Sequence, residues 1–329
     1  QHIPLQAPKE YTDKYLDLYR DGWANLRENR KNAAIEKGIY ASKAPIVDSL
    51  KKFEAWEDLT DEDRAHKIKS AAVFAGMLNA MDFHIGRFID YLKSNDLYEK
   101  TIFIITSDNG PEGNDPSDHE AWNQWIGTTN YNTNYETLGE ENSYVYIGTE
   151  FAQAMASPHH MYKFHMNEGG IKVPLIFWKE GIDSQVISER ATHIDIMPTI
   201  HGLVNEDLAH QVDGIDLFDN SLDLSQRPIF WKTDHNKVVI RDGWKLQVAE
   251  YPDKKWLFNL NDDPTEQNEL SASYPDKVEE LLTLINQHSD GGRKALYEAP
   301  LRARIEVDRT LKESIEDPDN EGEIVIVAN

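Results

Sequence analysis

The sequence predicts an α/β protein with a layered sheet that has helices on both faces, followed by a small four-stranded antiparallel sheet covered by one helix. Three observations support this fold class. Apolar residues recur at three- and four-residue spacing over Asp61–Leu92, which indicates a long amphipathic helix. That helix leads into a short apolar segment, Thr101–Thr106, as in layered α/β folds. Four short strands and a further helix follow from Pro228 onwards.

The helix predicted over Asp61–Leu92 has a clear start and one apolar face. Thr60 can cap its first turn, and the three acidic residues that follow suit the positive end of the helix dipole. We expect its apolar stripe to belong to the core; the stripe consists of Phe74, Met77, Leu78, Met81, Ile85, Phe88, Ile89 and Leu92. His84 is expected to be structural.

The strand predicted at Thr101–Thr106 leads directly into polar residues. Its β-branched and uncharged composition is typical of a central strand that is covered on both faces. Asp108, Asn109 and Gly110 then stand at its carboxyl end, where open α/β sheets place their ligand sites. A carboxylate and an amide carbonyl suit a hard cation such as Ca²⁺ or Mg²⁺. An ordinary Asp-Asn-Gly turn without metal is the alternative.

The composition limits the possible partners. The 329 residues include 34 basic and 58 acidic side chains, and the resulting net charge of −24 argues against binding to nucleic acid or to an anionic membrane. No apolar run approaches the roughly 18–20 residues of a membrane span. An anionic substrate would be repelled at long range, so its binding would need a cation and a few local positive groups. The chain has no cysteine, so disulfides are excluded.

Two segments after the strand are candidates for function. Asn114–Gly148 is polar and has little periodicity, which suggests a functional loop. Its aromatic residues could line an entrance for an apolar ring or pin the loop to the surface; they are Trp122, Trp125, Tyr131 and Tyr135. Lys163 lies on a loop ahead of a second buried strand, Ile171–Trp178, and could be a functional or a merely solvated cation. The nearby histidines fit no zinc pattern.

The last third of the chain predicts a compact α+β subdomain. Asp242-Gly243 is a strong hairpin signal between two of its strands. The strands are expected at Pro228–Lys232, Lys237–Arg241, Trp244–Glu250 and Trp256–Leu260, and the helix at Pro275–His288. We expect domains at residues 1–225 and 226–298, then an acidic tail at 299–329 that either adds a strand or stays mobile.

Two acidic sites near this subdomain are predicted to be structural. Asp195 can cap a helix whose first turn contains Pro198. Asp262–Glu266 could pass for a cation loop, but its composition favours a turn between strand and helix.

Five segments together resemble the type I sulfatases of the alkaline phosphatase superfamily, most closely bacterial arylsulfatases. They occur in the family's order over roughly Gln1–His288, which makes the resemblance specific and implies an alkaline-phosphatase-like layered sheet. The segments are HIPLQAP at His2–Pro8, SDNGPEG at Ser107–Gly113, YKFHMNEGGIKVP at Tyr162–Pro174, THIDIMPTIHGLV at Thr192–Val204, and WLFNLNDDPTEQNEL at Trp256–Leu270.

The resemblance implies a function and a set of site residues. Asp108 and Asn109 would bind Ca²⁺ or Mg²⁺, and His2 and Lys163 would contact the sulfate group and the leaving oxygen. Sulfatases of this family use a formylglycine made from a C/S-x-P-x-R motif, which this sequence lacks. We therefore expect the chain to be the C-terminal part of a sulfatase, inactive alone, with its N-terminal part as partner.

The expected substrate is a small-molecule sulfate ester, and no nucleic acid or membrane partner is expected. Two alternatives remain open: a phosphate or phosphonate ester hydrolase of the same superfamily, and a non-catalytic acidic module that binds cations. The compartment is not determined, although we expect a soluble protein of the bacterial periplasm or cytoplasm.

Overall fold

The computed structural model describes residues 2–40, 55–115, 120–187, 189–205, 208, 210–219, 221–232, 236–249, 254–290, 292, 301–303 and 324–326. The described residues of 2–182 and 264–267 form one compact unit, and those of 183–263, 268–303 and 324–326 form another. The predicted boundary at residue 225 falls inside the second unit. None of the helices in the described residues is long and apolar enough to cross a membrane.

The first unit is built mainly from helices around an aromatic and aliphatic core. Its helices are α1 (Lys9–Thr12), α2 (Gly22–Glu36), α3 (Asp61–Ser94), α4 (Glu120–Thr128), α5 (Gly148–Ala156) and α6 (Glu168–Ile171). Trp23 and Trp56 each contact Phe151 edge to face, in the geometry that aromatic rings prefer. Apolar residues between Ala71 and Ala75 of α3 and between Phe151 and Met155 of α5 are buried in the same core.

Helix α3 confirms the predicted start but not the predicted burial of its stripe. The Thr60 hydroxyl accepts a hydrogen bond from the Asp63 N–H at 3.1 Å, so the cap is confirmed. Burial is concentrated between Ser70 and Gly76 and returns only at Leu92. The core prediction is wrong for part of the stripe, because four members are exposed: Leu78, Met81, Ile85 and Phe88. Periodicity shows which face of a helix is apolar, but burial also needs a covering partner, and the contacts that the described chain makes with these turns leave the four side chains exposed.

The strand that ends at Asp108 is shorter and more open than predicted. Strand β1 (Phe103–Thr106) pairs antiparallel with β2 (Leu175–Trp178), forming a two-stranded sheet. Ile105 and Ile176 are direct cross-strand partners, and they are 51% and 49% exposed. The prediction of a strand covered on both faces is therefore wrong for the described chain, because β1 has one neighbouring strand and an open face.

The segment predicted as a loop at Asn114–Gly148 contains helix α4, which starts at Glu120. Its aromatic rings contact one another: the ring centroid of Trp125 lies 5.9 Å from that of Tyr131 and 5.8 Å from that of Tyr144. Tyr131 and Tyr144 in turn meet edge to face at 5.6 Å. These contacts favour the pinning interpretation over an aromatic entrance.

The second unit contains the predicted four-stranded sheet. Its strands β3 (Ile229–Lys232), β4 (Asn236–Arg241), β5 (Trp244–Ala249) and β6 (Lys254–Asn259) pair antiparallel in sequence order. Asp242 and Gly243 both have positive φ, as the predicted two-residue hairpin requires. Helix α8 (Pro275–Asp290) covers one face and buries Val278, Leu281 and Ile285 against the sheet. The predicted sheet and helix are confirmed.

Asp195 has the predicted structural surroundings, although it caps from a different position. It lies at the third position of a short 3₁₀ turn, His193–Asp195, and accepts the Thr192 N–H at 2.8 Å. Helix α7 (Ile196–Val204) follows directly. Arg227 forms two hydrogen bonds to the same carboxylate, at 2.7 and 2.9 Å. The sequence indicated the cap but not this ion pair.

In the tail, β7 (Leu301–Ala303) pairs antiparallel with β8 (Ile324–Ile326), so a strand is added, but as a separate sheet. The remainder of the acidic tail predicted at 299–329 lies outside the described residues.

Candidate active site

The four residues predicted for the site line one open cleft of the first unit. This cleft has a volume of about 740 Å³, and its lining includes His2, Asp108, Asn109 and Lys163. They come from three distant parts of the sequence, so the fold brings together what the sequence alone could only suggest. The aromatic residues of the segment after β1 are absent from the described lining.

The loop after β1 is fixed by direct backbone contact with the loop before β2. The Gly110 N–H donates to the Gly170 carbonyl at 2.8 Å. A Cβ added at Gly110 would stand 1.8 Å from the Gly169 carbonyl oxygen, so no larger residue fits without separating the loops. The Lys163 N–H also donates to the Pro111 carbonyl, at 3.0 Å. The segment with Asp108 and the segment with Lys163 are therefore joined by main-chain hydrogen bonds.

Glu112 links the two predicted catalytic residues. Its carboxylate Oε2 lies 2.6 Å from the Lys163 Nζ and 3.6 Å from the His2 Nε2. The Glu112 side chain is only 5% exposed, whereas that of His2 is 68% exposed. A buried carboxylate beside an ammonium is stabilised by it and also restricts the position of that ammonium. Glu112 thus orients Lys163 in the cleft, with the His2 imidazole on the other side of the same carboxylate.

Sequence reasoning missed the part played by Glu112 and by a second acid, Glu266. Glu112 belongs to the SDNGPEG segment, which was the available signal, but its partners are far away along the chain. Glu266 is buried, and its Oε2 accepts the N–H of Glu168 at the start of α6, at 2.7 Å. The segment Asp262–Glu266 contains turns, as predicted, and Glu266 supports the glycine-rich segment of the cleft.

Asp108 and Asn109 fit part of a site for a hard cation. Asp108 is exposed to the cleft, and Asn109 beside it is half-buried. Carboxylate and amide oxygens are ligands that Ca²⁺ accepts, but Ca²⁺ takes about six to eight oxygen ligands. No group of three or more His, Asp or Glu residues that could hold a metal occurs within the described parts of the chain. The two residues therefore suit a cation whose coordination other groups complete.

Comparisons with known proteins bear on this arrangement. A profile of the Sulfatase family matches residues 1–206. An uncharacterized sulfatase of Schizosaccharomyces pombe is 32% identical over 307 residues, which cover 85% of this chain and 54% of that protein. An arylsulfatase of Klebsiella aerogenes is 27% identical, over 61% of this chain and 43% of that one.

The fold is also found among solved structures. The candidate sulfatase yidJ of Bacteroides fragilis aligns with a TM-score of 0.50 at 16% identity, over 86% of this chain and 50% of that one. The chain spans about half the length of the relatives it matches. The family profile covers more than half of the 329 residues and includes the whole candidate site. The chain therefore belongs to the sulfatase family of the alkaline phosphatase superfamily.

Proposed function

We propose that the protein to which this chain contributes hydrolyses sulfate esters in a reaction that depends on Ca²⁺ or Mg²⁺. One observation carries the proposal: Lys163 and His2 converge on Glu112 in the cleft that also contains Asp108 and Asn109. Positive and hydrogen-bonding groups beside a cation-type donor pair are what a sulfate ester needs in a chain of net charge −24.

Each site residue has a role that its contacts support. Asp108 and Asn109 would hold the cation, which when bound would neutralise negative charge on the sulfate oxygens. Lys163 keeps two of its three N–H donors available beyond the Glu112 contact, so its ammonium can donate to a sulfuryl oxygen or to the departing oxygen. The His2 Nδ1 donates to the Ile3 carbonyl at 3.1 Å, so in its protonated form the imidazole can also donate from Nε2 to the same groups. Both interactions strengthen as charge develops on the leaving oxygen, which favours the transition state.

The nucleophile belongs to the part of the enzyme that we expect to precede this chain. The family's nucleophile is a formylglycine, and the 329 residues contain no C/S-x-P-x-R motif from which it could be made. The exposed apolar side chains of α3 and of the two-stranded sheet support a covering partner, and we infer that this partner is the N-terminal part of the same enzyme. The chain's share of about half of its relatives' length leaves room for such a part.

Hydrolysis of 4-nitrophenyl sulfate and of 4-nitrophenyl phosphate tests the reaction class. The polypeptide that contains this chain should prefer the sulfate ester, and Lys163→Ala should lower kcat by about 100-fold, as loss of a group that stabilises transition-state charge does. Lys14→Ala is the matched control, since Lys14 bonds to Asn79 on the surface and lies outside the cleft lining. The isolated chain should bind phenyl sulfate but not hydrolyse it.

Three results would contradict the proposal in different ways. Preference for the phosphate ester would favour the phosphatase or phosphonate hydrolase alternative. Turnover of 4-nitrophenyl sulfate by the isolated chain would exclude an external nucleophile. Cation binding that Asp108→Ala leaves unchanged, with no hydrolysis by the longer polypeptide, would favour a non-catalytic cation-binding module.

A further inference from the structure

Helix α2 and Lys37, the residue directly after it, present one row of side chains to the cleft. The row consists of Arg30, Ala33, Ala34 and Lys37, all of which line the cleft. Their spacing of three, four and seven residues places them on a single helix face. The two alanines between the cations leave space above the helix, so a ligand can lie along this wall with a positive group near each end.

The earlier turns of α2 attach this side of the cleft to the core. The same helix face is buried earlier in α2, at Trp23, Leu26 and Arg27. The backbone carbonyl of Arg27 accepts a hydrogen bond from the Ser157 hydroxyl at 2.8 Å, just after α5 ends. The segment after Ser157 also lines the cleft. The side of the cleft that carries Arg30 and Lys37 is therefore attached to the core through the earlier turns of α2.

Arg30 and Lys37 differ from Lys163 in their ion pairs. Lys163 is engaged by Glu112, whereas Arg30 and Lys37 are exposed and form no ion pair with any residue that the structure describes. The described lining carries four basic and two acidic side chains in a chain whose net charge is −24. A local excess of positive charge against such a background attracts and orients anions.

We propose that Arg30 and Lys37 form a second anion subsite, and that the substrate is a sulfate ester that carries a further negative group such as a carboxylate or a second sulfate. The proposal rests on the proposed function, because the first anion subsite is the one around Lys163 and His2. In the proposed function, Lys163, His2 and the cation already bind a single sulfate group at the first subsite. Arg30 and Lys37 come from a segment of the chain remote from Lys163 and His2, and we assign them to a second negative group of the ligand.

Titration calorimetry of the 329-residue chain in excess Ca²⁺ tests this subsite with matched ligands. The ligands are 4-carboxyphenyl sulfate and its 4-carbamoyl analogue, which differ in charge but hardly in size, and the corresponding biphenyl pair for longer reach. We expect each carboxylate to bind about tenfold more tightly than its amide, as about two partly screened charge contacts allow. Arg30→Gln/Lys37→Gln should abolish this advantage without weakening the amides.

Lys31→Gln is the matched control, because it removes a positive charge from α2 outside the described cleft lining. The single variants Arg30→Gln and Lys37→Gln should each lose part of the advantage, and circular dichroism checks that α2 persists. Equal binding of carboxylate and amide, or an advantage that the double variant keeps, would overturn the second subsite. If the amides still bind and lose affinity in Lys163→Ala, the proposed function stands. Binding of none of the four ligands would overturn both.

Discussion

Leu246 and Leu257 of the four-stranded sheet are fully buried, whereas Ile105 and Ile176 of the two-stranded sheet are about half exposed. Both sheets are antiparallel and rich in apolar residues. The four-stranded sheet has α8 on one face within the same unit, and all its main apolar partners lie within about sixty residues. The two-stranded sheet joins strands about seventy residues apart, and within the described residues no comparable layer buries Ile105 and Ile176. A sheet is buried only when its covering layer is present, whatever the composition of its strands.

Truncating one residue in each sheet should give the largest difference. Leu257→Ala is expected to lower the free energy of unfolding of its unit by about 3–4 kcal/mol, because it leaves a cavity in a packed core. Ile105→Ala should cost less than about 1 kcal/mol, since half of that side chain is already in water. Urea denaturation followed by tryptophan fluorescence measures both, with buried Trp256 beside the first substitution. Equal decreases in the free energy of unfolding would mean that Ile105 is packed as tightly as Leu257.

Asp195 tests whether a buried ion pair stabilises the unit with the four-stranded sheet in addition to its apolar core. Burial alone would raise the pKa of Asp195, but hydrogen bonds from Arg227, Thr192 and Ile215 outweigh it and hold the pKa below its ordinary value. Asp195→Asn should destabilise the unit by about 3 kcal/mol at neutral pH, because Arg227 then loses its charge partner.

The pH dependence of this effect has a defined sign. Because the pKa of Asp195 is lower in the folded state, its contribution is fully present above the ordinary carboxyl pKa and is lost as pH falls through the lowered value. Urea midpoints of the wild type should therefore fall more steeply below about pH 4 than those of Asp195→Asn. Parallel curves would show that the ion pair adds no stability.

Gly110 tests how the backbone contact between the two loops stabilises the two-stranded sheet. Gly110→Ala should cost about 2 kcal/mol, because the added methyl group collides with the Gly169 carbonyl and breaks the hydrogen bond to Gly170. Hydrogen exchange should speed up in peptides from both loops. Gly127→Ala is a control, since a Cβ there meets no atom within 4 Å. Unchanged exchange in the segment 160–172 would argue against a backbone junction.

The smallest effect on stability is expected on the open face of the two-stranded sheet. Ile105→Thr and Ile176→Thr should each change the free energy of unfolding by no more than about 0.5 kcal/mol, since both side chains are half exposed and threonine suits a strand. Fluorescence of the dye ANS, which reports exposed apolar surface, should decrease in the double variant. An unchanged signal would place the apolar surface that binds the dye elsewhere.

Local signals in the sequence predicted local structure well. The Thr60 cap, the Asp242-Gly243 hairpin and the helix from Pro275 depend on residues a few positions apart, and the structure confirms all three. The burial of the α3 stripe and of β1 could not be predicted in this way. It depends on which layer covers each apolar face, and no spacing within the segment reports that.

The candidate site shows the same limit. Asp108 and Asn109 were recognisable from their place after an apolar strand, and Lys163 and His2 only through their segments' resemblance to a family. The partnership of Glu112 with Lys163 joins residues about fifty positions apart, and that of Arg30 with the cleft depends on how α2 packs. The seven-residue spacing of Arg30 and Lys37 predicts that both lie on the same side of α2 and its end, but only the fold determines that this side meets the cleft.

The hydrogen bond from Gly110 to Gly170 and that from Lys163 to Pro111 have a thermodynamic consequence. Whatever binds Asp108 acts on a loop that cannot shift without moving the loop that carries Lys163. Any change that occupancy of one loop makes to the affinity of the other is matched by the same factor in the reverse direction, since coupling free energies are reciprocal. The cation and the sulfate group would then be heterotropic effectors of each other, even in a chain that performs no chemistry.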